Sequence, residues 1–364
     1  MKAALLRSAP GEIEIDDVSI DNPRGREVLI KTSATGICHS DLLYAEGKFR
    51  TKLPTVLGHE AAGVVEAVGD DVTAVRPGDH VVTCLSIFCG VCEYCLSGRP
   101  NLCANTGGAR ALRRSRGEPS RLTQGGDPVW QFQELSAFAE QMLVHENAVV
   151  SVSKEIGLDR AALVGCGVTT GLGAVFNTAQ VRPGTSVAVI GCGGVGLNAI
   201  QGARLAGAAQ IIAVDRVLKK AELALEFGAT HAVDASNGDS VEQVLELSGG
   251  GVHYSFEAIG MAVTTAHAFA MLRAGGIATV IGMIPPGTIV ELPGVDFMFE
   301  KQLRGSLMGS NRFRIDIPRY VDLYLQGRLK LDELVSARIP LEEVARGLDE
   351  LHSGNVARSV VVFD

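Results

Sequence analysis

Six residues restrict the fold of this chain more than any others: Gly191-Cys192-Gly193-Gly194-Val195-Gly196, a G-x-G-x-x-G sequence. They follow the apolar run 187–190 and lead into 197–205, where apolar residues recur at helical spacing. A strand that enters a helix through such a turn is the context in which the pattern binds a dinucleotide. Gly191 permits the tight turn. Gly193 removes a side chain that would block a pyrophosphate, and Gly196 lets helix and strand pack closely. Gly194 and Val195 complete the entry into the helix, whose N-terminus favours phosphate charge. The next strand, 210–214, runs into Asp215. Its carboxylate can accept hydrogen bonds from the adenosine ribose and would repel a 2′-phosphate, so NAD is expected over NADP. Arg216 beside it pulls the other way. The plainer readings are a glycine-rich turn without ligand and a solvated strand end.

The rhythm around the hexapeptide is strand 186–190, helix 197–205, strand 210–214 and helix 218–227 closed by Gly228. Strand 231–233, a helix near 241–247, strand 252–256, helix 262–273 and strand 277–281 follow. This βα order implies a doubly wound parallel sheet. Before residue 159 the texture differs. Runs such as 28–30, 61–68 and 80–84 are short, apolar and bounded by turn signals like Pro77-Gly78-Asp79, as in a small closed or curled β-domain. The end reads as amphipathic helices 317–325 and 341–351 and a strand 359–363 that returns to the first domain. A length of 364 residues suits two domains.

The formal charge of −8 carries no electrostatic footprint for nucleic acid. No basic and then apolar leader opens the chain, and the apolar stretch 187–200 is too short for a membrane span, so a soluble, cytoplasmic protein is expected. The segment 106–131 is polar and carries Arg110, Arg113, Arg114, Arg116 and Arg121. It reads as a solvated surface excursion.

Eight cysteines remain. Cys89-x2-Cys92-x2-Cys95-x7-Cys103 groups four thiols in a pattern suited to a closed, structural zinc site. An iron–sulfur cluster and a zinc ribbon used for binding are the alternatives. Cys38, His59 and Cys166 stand in Gly36-Ile37-Cys38-His39-Ser40-Asp41, Gly58-His59-Glu60 and Gly165-Cys166-Gly167-Val168-Thr169-Thr170-Gly171. Two thiolates and an imidazole would leave zinc a fourth position for substrate. Their long separations prove nothing alone, since a lone Cys or His is usually a packed side chain.

Four motifs in register carry a family resemblance over essentially the whole length: G-H-E-x2-G-x5-G at 58–69, the cysteine lobe, G-C-G-V-T-T-G and the glycine hexapeptide. The chain resembles the zinc-containing medium-chain alcohol dehydrogenases. The resemblance implies a Rossmann domain, 168–307, and a β-rich, barrel-like catalytic domain, 1–167, completed by 308–364. It implies two zinc ions per chain. Cys38, His59 and Cys166 would hold the catalytic one, with Glu60 near it as an exchangeable ligand and Asp41 supporting His59. Ser40 would take the alcohol proton. A histidine that relays it onward in many relatives is replaced by Leu43. His39 and Arg358 match pyrophosphate contacts, Lys220 an adenosine-ribose contact and Thr170 a contact on the nicotinamide side.

The implied reaction is reversible hydride transfer between a primary or secondary alcohol and NAD. Leu85 matches a pocket position, and Phe49, Trp130 and Phe132 are further pocket candidates, although aromatics more often belong to cores. An apolar pocket suits an alcohol or aldehyde with a hydrophobic body. A thiol-adduct substrate, as in the formaldehyde-oxidising branch, is an alternative, but that branch typically carries an acidic residue where Phe49 stands. Many polyol dehydrogenases lack the second cysteine, and quinone reductases lack both zinc sets. A zinc- and nucleotide-binding sensor would need no proton acceptor. Relatives pair through the cofactor domain, and edge pairing along 287–292 would fit a homodimer.

Overall fold

Glu27–Gly36 is a ten-residue strand on which much of the first half of the chain is hung. Val28, Ile30, Thr32 and Ala34 alternate inward and are buried, the period of two that a half-covered strand requires. One edge pairs antiparallel with Glu60–Val68, from Val28 opposite Val68 to Gly36 opposite Glu60. Two strands share the other edge. Gln141–His145 covers Glu27 to Lys31, and Arg358–Val362 covers Ala34 to Gly36. His80–Thr83, Val149–Ser151 and Val335–Ile339 complete a seven-stranded sheet. The core on it is built from Val28, Ile30, Ala61, Val65, Val81, Met142 and Val144. A six-stranded sheet runs in the order Ile13–Asp17, Lys2–Leu6, Thr55–Val56, Asp127–Gln131, Leu122–Gln124 and Ser19–Ile20.

The computed structural model describes residues 1–104, 114, 118–351 and 358–364, with the backbone alone at 352 and 353. It divides into two units, Met1–Cys166 with Arg312–Asp364, and Gly167–Asn311. The joint expected near 307 falls later because Thr178 Oγ1 bonds the hydroxyls of Ser306 and Ser310, and Asn177 donates to the Gly309 carbonyl. Those bonds tie 306–310 to the second unit.

The second unit carries six parallel strands in the order His231–Asp234, Gln210–Asp215, Ser186–Ile190, Val252–Glu257, Leu272–Val280 and Gln302–Gly305. Numbered along the chain, that order is 3-2-1-4-5-6, the Rossmann arrangement. Its core includes Ile190, Ile212, Val214, Val244, Phe269 and Leu272.

Four sequence readings need correction. The expected helix 262–273 ends at Ala270. Leu272 already pairs with Val252 across a bulge, so the strand begins five residues earlier than its apolar run suggests. Residues 287–292 form no strand, and the sheet edge is Gln302–Gly305. Residues 158–179 form an unforeseen helical run, long and apolar enough to cross a membrane, with 83% of its apolar window buried.

The fourth correction concerns the arginine-rich excursion. Arg110, Arg113 and Arg116 lie outside the described residues. Arg114 and Arg121 are not solvated: their side chains are 9% and 6% exposed. Both grip Glu27, with Arg114 Nη2 2.7 Å from Oε2 and Arg121 Nε 2.7 Å from Oε1. Burial opposes charge on Glu27, yet the two guanidinium groups hold its carboxyl below the ordinary glutamate range. The stabilisation is therefore complete above the unfolded glutamate value and is lost as pH falls through the lower folded value. Glu27→Gln should cost about 3–5 kcal/mol, because it strands two buried cations. Thermal unfolding should show that loss at neutral pH and a shallower acid dependence than wild type.

Candidate active site

The sheet register gathers one end of the first unit. Gly36 lies opposite Glu60 on one side and Val360 on the other. Cys38, His59 and Arg358 are thereby carried to the same place. Cys166 arrives from Val164–Val168, a π-helical turn, where Gly165 lies so close to Thr83 that a Cβ would stand 2.4 Å from its carbonyl oxygen. Wide helical turns of this kind recur at functional sites. Ligand atoms of Cys38, His59 and Cys166 all fall within 4.8 Å of one another, and all three residues are buried.

The chemistry of this set calls for a cation. Contact with Cys166 holds the Cys38 thiol well below its ordinary value against burial, with Arg358 and His59 assisting. The same contact pushes Cys166 well above it. Two buried sulfurs this close do not both ionise unless a metal joins them. Cys166 Sγ lies 3.4 Å from His59 Nε2, near the roughly 3.6 Å edge of a tetrahedron with zinc's S and N bond lengths. Asp41 fixes the ring. Its Oδ1 lies 3.1 Å from His59 Nδ1 and accepts from the Gly58 amide, while Oδ2 accepts from the Cys38 amide. Nε2 is thus aimed at the sulfurs. Ser40 Oγ lies 3.2 Å from Cys38 Sγ. Glu60 stands apart from the three: its Oε2 lies 3.6 Å from Arg358 Nη1. Arg358 also donates to the Ile37 carbonyl and is 5% exposed, so it is no surface charge. His39 is exposed and Leu43 is buried.

Cys89, Cys92, Cys95 and Cys103 form the second cluster. The sulfurs lie 3.5 Å apart for Cys92–Cys95, 3.8 Å for Cys92–Cys103 and 4.0 Å for Cys89–Cys95. Zinc–sulfur bonds of about 2.3 Å place the sulfurs of a tetrahedron about 3.8 Å apart. One ion fits, whereas a cluster of several irons needs its thiolates spread wider. All four positions are filled by sulfur, so this site has no room for substrate.

An aromatic row leads away from His59. The Phe132 ring meets it edge-on at 5.8 Å, Tyr44 meets Phe132 at 4.8 Å, and Phe49 meets Tyr44 at 5.6 Å. Sequence reasoning missed Tyr44 and Gln133, whose amide reaches the Tyr44 hydroxyl at 3.5 Å. Three non-glycine residues of the supporting turn, Gln133, Glu134 and Ser136, have φ of 52°, 60° and 61°. Each such residue costs about 1–2 kcal/mol. Trp130 lies outside this row, 39% exposed with Lys52 over its face. Leu85 packs on the core beneath the sheet, and Phe88 is engaged by Phe313 and Arg314.

In the second unit the glycines behave as their spacing requires. Gly191 has φ +96°. A Cβ on Gly193 would meet nothing within 4 Å, which leaves the approach to the helix N-terminus open. A Cβ on Gly196 would lie 1.7 Å from the Gly191 carbonyl oxygen. Gly194 and Val195 form the first turn of the helix Gly194–Leu205. Asp215 braces this turn: Oδ2 accepts from the Cys192 amide at 2.8 Å and Oδ1 from the Val217 amide at 2.9 Å. Arg216 is exposed and Lys220 half-buried. Thr170 Oγ1 is turned to the Met308 sulfur. The cradle can hold a pyrophosphate against backbone N–H groups. Gly196→Ala should lower stability by at least about 1–3 kcal/mol by overpacking, while Gly193→Ala should leave the melting temperature unchanged. Thermal denaturation of the two variants checks the contrast.

Residues 24–154 match the alcohol dehydrogenase GroES-like domain, and residues 194–326 the zinc-binding dehydrogenase domain. An NDMA-dependent alcohol dehydrogenase of Amycolatopsis methanolica is 42% identical over 99% of this chain and 98% of its own. An S-(hydroxymethyl)glutathione dehydrogenase of Saccharomyces cerevisiae is 36% identical over 100% of this chain and 96% of its own. The crystal structure of benzyl alcohol dehydrogenase from Acinetobacter calcoaceticus superimposes with a TM-score of 0.92 at 33% identity, covering 100% of this chain and 99% of that one. Full-length similarity at these levels, joined to an open Cys-His-Cys set and a closed four-sulfur set, places the chain in the zinc-containing medium-chain alcohol dehydrogenase family.

Proposed function

We propose that this enzyme oxidises apolar primary alcohols, aromatic ones foremost, with NAD as hydride acceptor, and reduces the matching aldehydes. The observation that carries the reading is the contrast between the two metal-binding sets. Four sulfurs close one of them, whereas Cys38, His59 and Cys166 supply three donors and leave the next position to substrate. Zinc held in the open set would supply Lewis acidity toward an alcohol oxygen, and bound NAD would supply the hydride acceptor.

The chain's own residues supply the rest. Cys38, His59 and Cys166 would hold the ion, and Asp41 keeps His59 Nε2 turned toward the two sulfurs. Ser40 Oγ receives the alcohol proton. Leu43 has no atom to carry that proton further, so it leaves through solvent. Phe132 and Phe49, with Tyr44 between them, offer apolar faces to the substrate body. Gly191, Gly193 and Gly196 admit the pyrophosphate, and Asp215 disfavours a 2′-phosphate. Arg358 adds positive charge for the phosphates, and His39, whose pKa desolvation lowers, adds an imidazole N–H donor. Lys220 serves the adenosine ribose, and Thr170 the nicotinamide side. Phe49 argues against a thiol-adduct substrate.

A homodimer suits this reading, because Ile289, Val295, Met298 and Phe299 are each more than half exposed. Six cysteines committed to two metal-binding sets suit the reducing cytoplasm. A second reading, supported by the name of the Amycolatopsis relative, is that NDMA replaces free NAD as the acceptor.

A panel of benzyl alcohol, ethanol, sorbitol and hydroxymethyl-glutathione, followed by NADH absorbance, tests the proposal, with NADP and NDMA run in parallel. Benzyl alcohol with NAD should give the highest kcat/KM. Preference for hydroxymethyl-glutathione or for NADP would overturn it, and turnover with NDMA but not NAD would select the second reading. Cys38→Ala should lower bound zinc from two ions per chain to one and abolish turnover, while NADH fluorescence still reports cofactor binding.

A further inference from the structure

The geometry assigns Arg121 a part in the reaction: it is the positioning residue that holds the turn 131–136, and through that turn Phe132, against His59. The assignment rests on the proposal that an apolar alcohol is bound beside Cys38, His59 and Cys166.

The turn cannot hold itself. Gln133, Glu134 and Ser136 sit in the left-handed region that glycine adopts without strain, and none of them is glycine. Something outside must fix the shape. Within the turn, Ser136 Oγ links the Phe132 amide to the Val56 carbonyl. Just beyond it, the Ala137 and Phe138 amides bond the carbonyls of Gly58 and Leu57, the two residues before His59. Arg121 supplies the ties on the other side of Phe132. Its Nη1 donates to Gln131 Oε1 at 3.2 Å and lies 3.8 Å from Glu134 Oε2. Those two residues bracket Phe132 and Gln133. Its Nε meanwhile is anchored 2.7 Å from Glu27 Oε1 on the central strand. One planar guanidinium thus bridges the strand that leads to Cys38 and the turn that backs His59. Arg121 is 7% exposed and Phe132 2%, so neither has freedom to compensate for loss of the other.

Lysine keeps the charge opposite Glu27 but cannot direct donors to Glu27, Gln131 and Glu134 together. Arg121→Lys therefore separates positioning from charge balance. In the zinc-loaded, full-length enzyme its melting temperature should fall by only a few degrees, the loss of one charge-assisted hydrogen bond. The KM for benzyl alcohol should rise about tenfold, the loss of one charge-assisted hydrogen bond, with kcat within about twofold. Ethanol, too small to reach Phe132, should show a KM change below about threefold. Trp130, the single tryptophan of the chain, directly precedes Gln131. Its emission should shift in Arg121→Lys with no substrate present. Wild-type KM values for both alcohols, equal losses for both, or an unchanged Trp130 emission would each overturn the assignment. If Arg121→Lys does not fold, Gln131→Leu, which removes the Arg121 tie together with the Gln131 bond to the Leu143 carbonyl, is read by the same measurements. A wild-type enzyme inactive on every alcohol would instead overturn the substrate proposal, and the Trp130 emission would still decide the role of Arg121.

Discussion

Gly36 is paired with Glu60 across one edge of its strand and with Val360 across the other. A slip of one residue in either ladder would turn every side chain of the slipped strand to the opposite face. Cys38 and His59 would then no longer converge, and Arg358 would leave Glu60. The register is defended by what it buries. Val28, Ile30, Ala61 and Val65 face one core, and none of them can be turned outward cheaply. A Cβ on Gly63 would stand 2.1 Å from the Lys31 carbonyl oxygen, so the two backbones touch where the pairing is interrupted. Chemistry at Cys38 therefore depends on apolar packing well away from it.

The two sulfur sites differ in how they are made. Cys89 to Cys103 is one short loop, and its geometry needs little from the rest of the fold beyond Gly90 and Gly98 in the left-handed region. Cys38, His59 and Cys166 come from the end of a strand, the start of another and a π-helical turn. Such a site exists only when the whole unit is folded. It can be buried, and it can keep one coordination position clear because no local loop crowds it. The local site can close completely, which suits a metal that stabilises structure.

That difference sets how much could be read from the sequence. The glycine hexapeptide and the cysteine lobe are local, and their spacing alone carries their meaning. The second unit's strands and helices were also legible, because each is a short run with its own period. The open metal set was not, since separations between positions 38, 59 and 166 contain no geometry. It became readable only through resemblance across several motifs. Helix boundaries failed where tertiary pairing won, as when Leu272 left the helix pattern to join Val252. The helical run 158–179 was hidden by Gly165, Gly167, Gly171 and Gly173, residues that ordinarily mark loops. Here Gly165 and Gly173 are required by close backbone approach to Thr83 and Gly309.

The arginines of the excursion were misread for a reason of the same kind. Composition places a run of arginines in solvent, and for an isolated segment that is the lower-energy choice. The choice reverses once a buried carboxylate is already in place. Glu27 starts the central strand, and its side chain is buried on the face opposite Val28 and Ile30. A lone carboxylate there would be strongly unfavourable, and one guanidinium would still leave lone pairs unmet. Two guanidinium groups satisfy it, Asp21 lies beside Arg114 and Glu134 beside Arg121, and Arg24 pairs with Asp21, so three cations face three carboxylates. The charges balance only as a set. The segment that looked most dispensable is therefore bound to the strand that leads to Cys38. Its burial follows from Glu27, not from anything in its own composition.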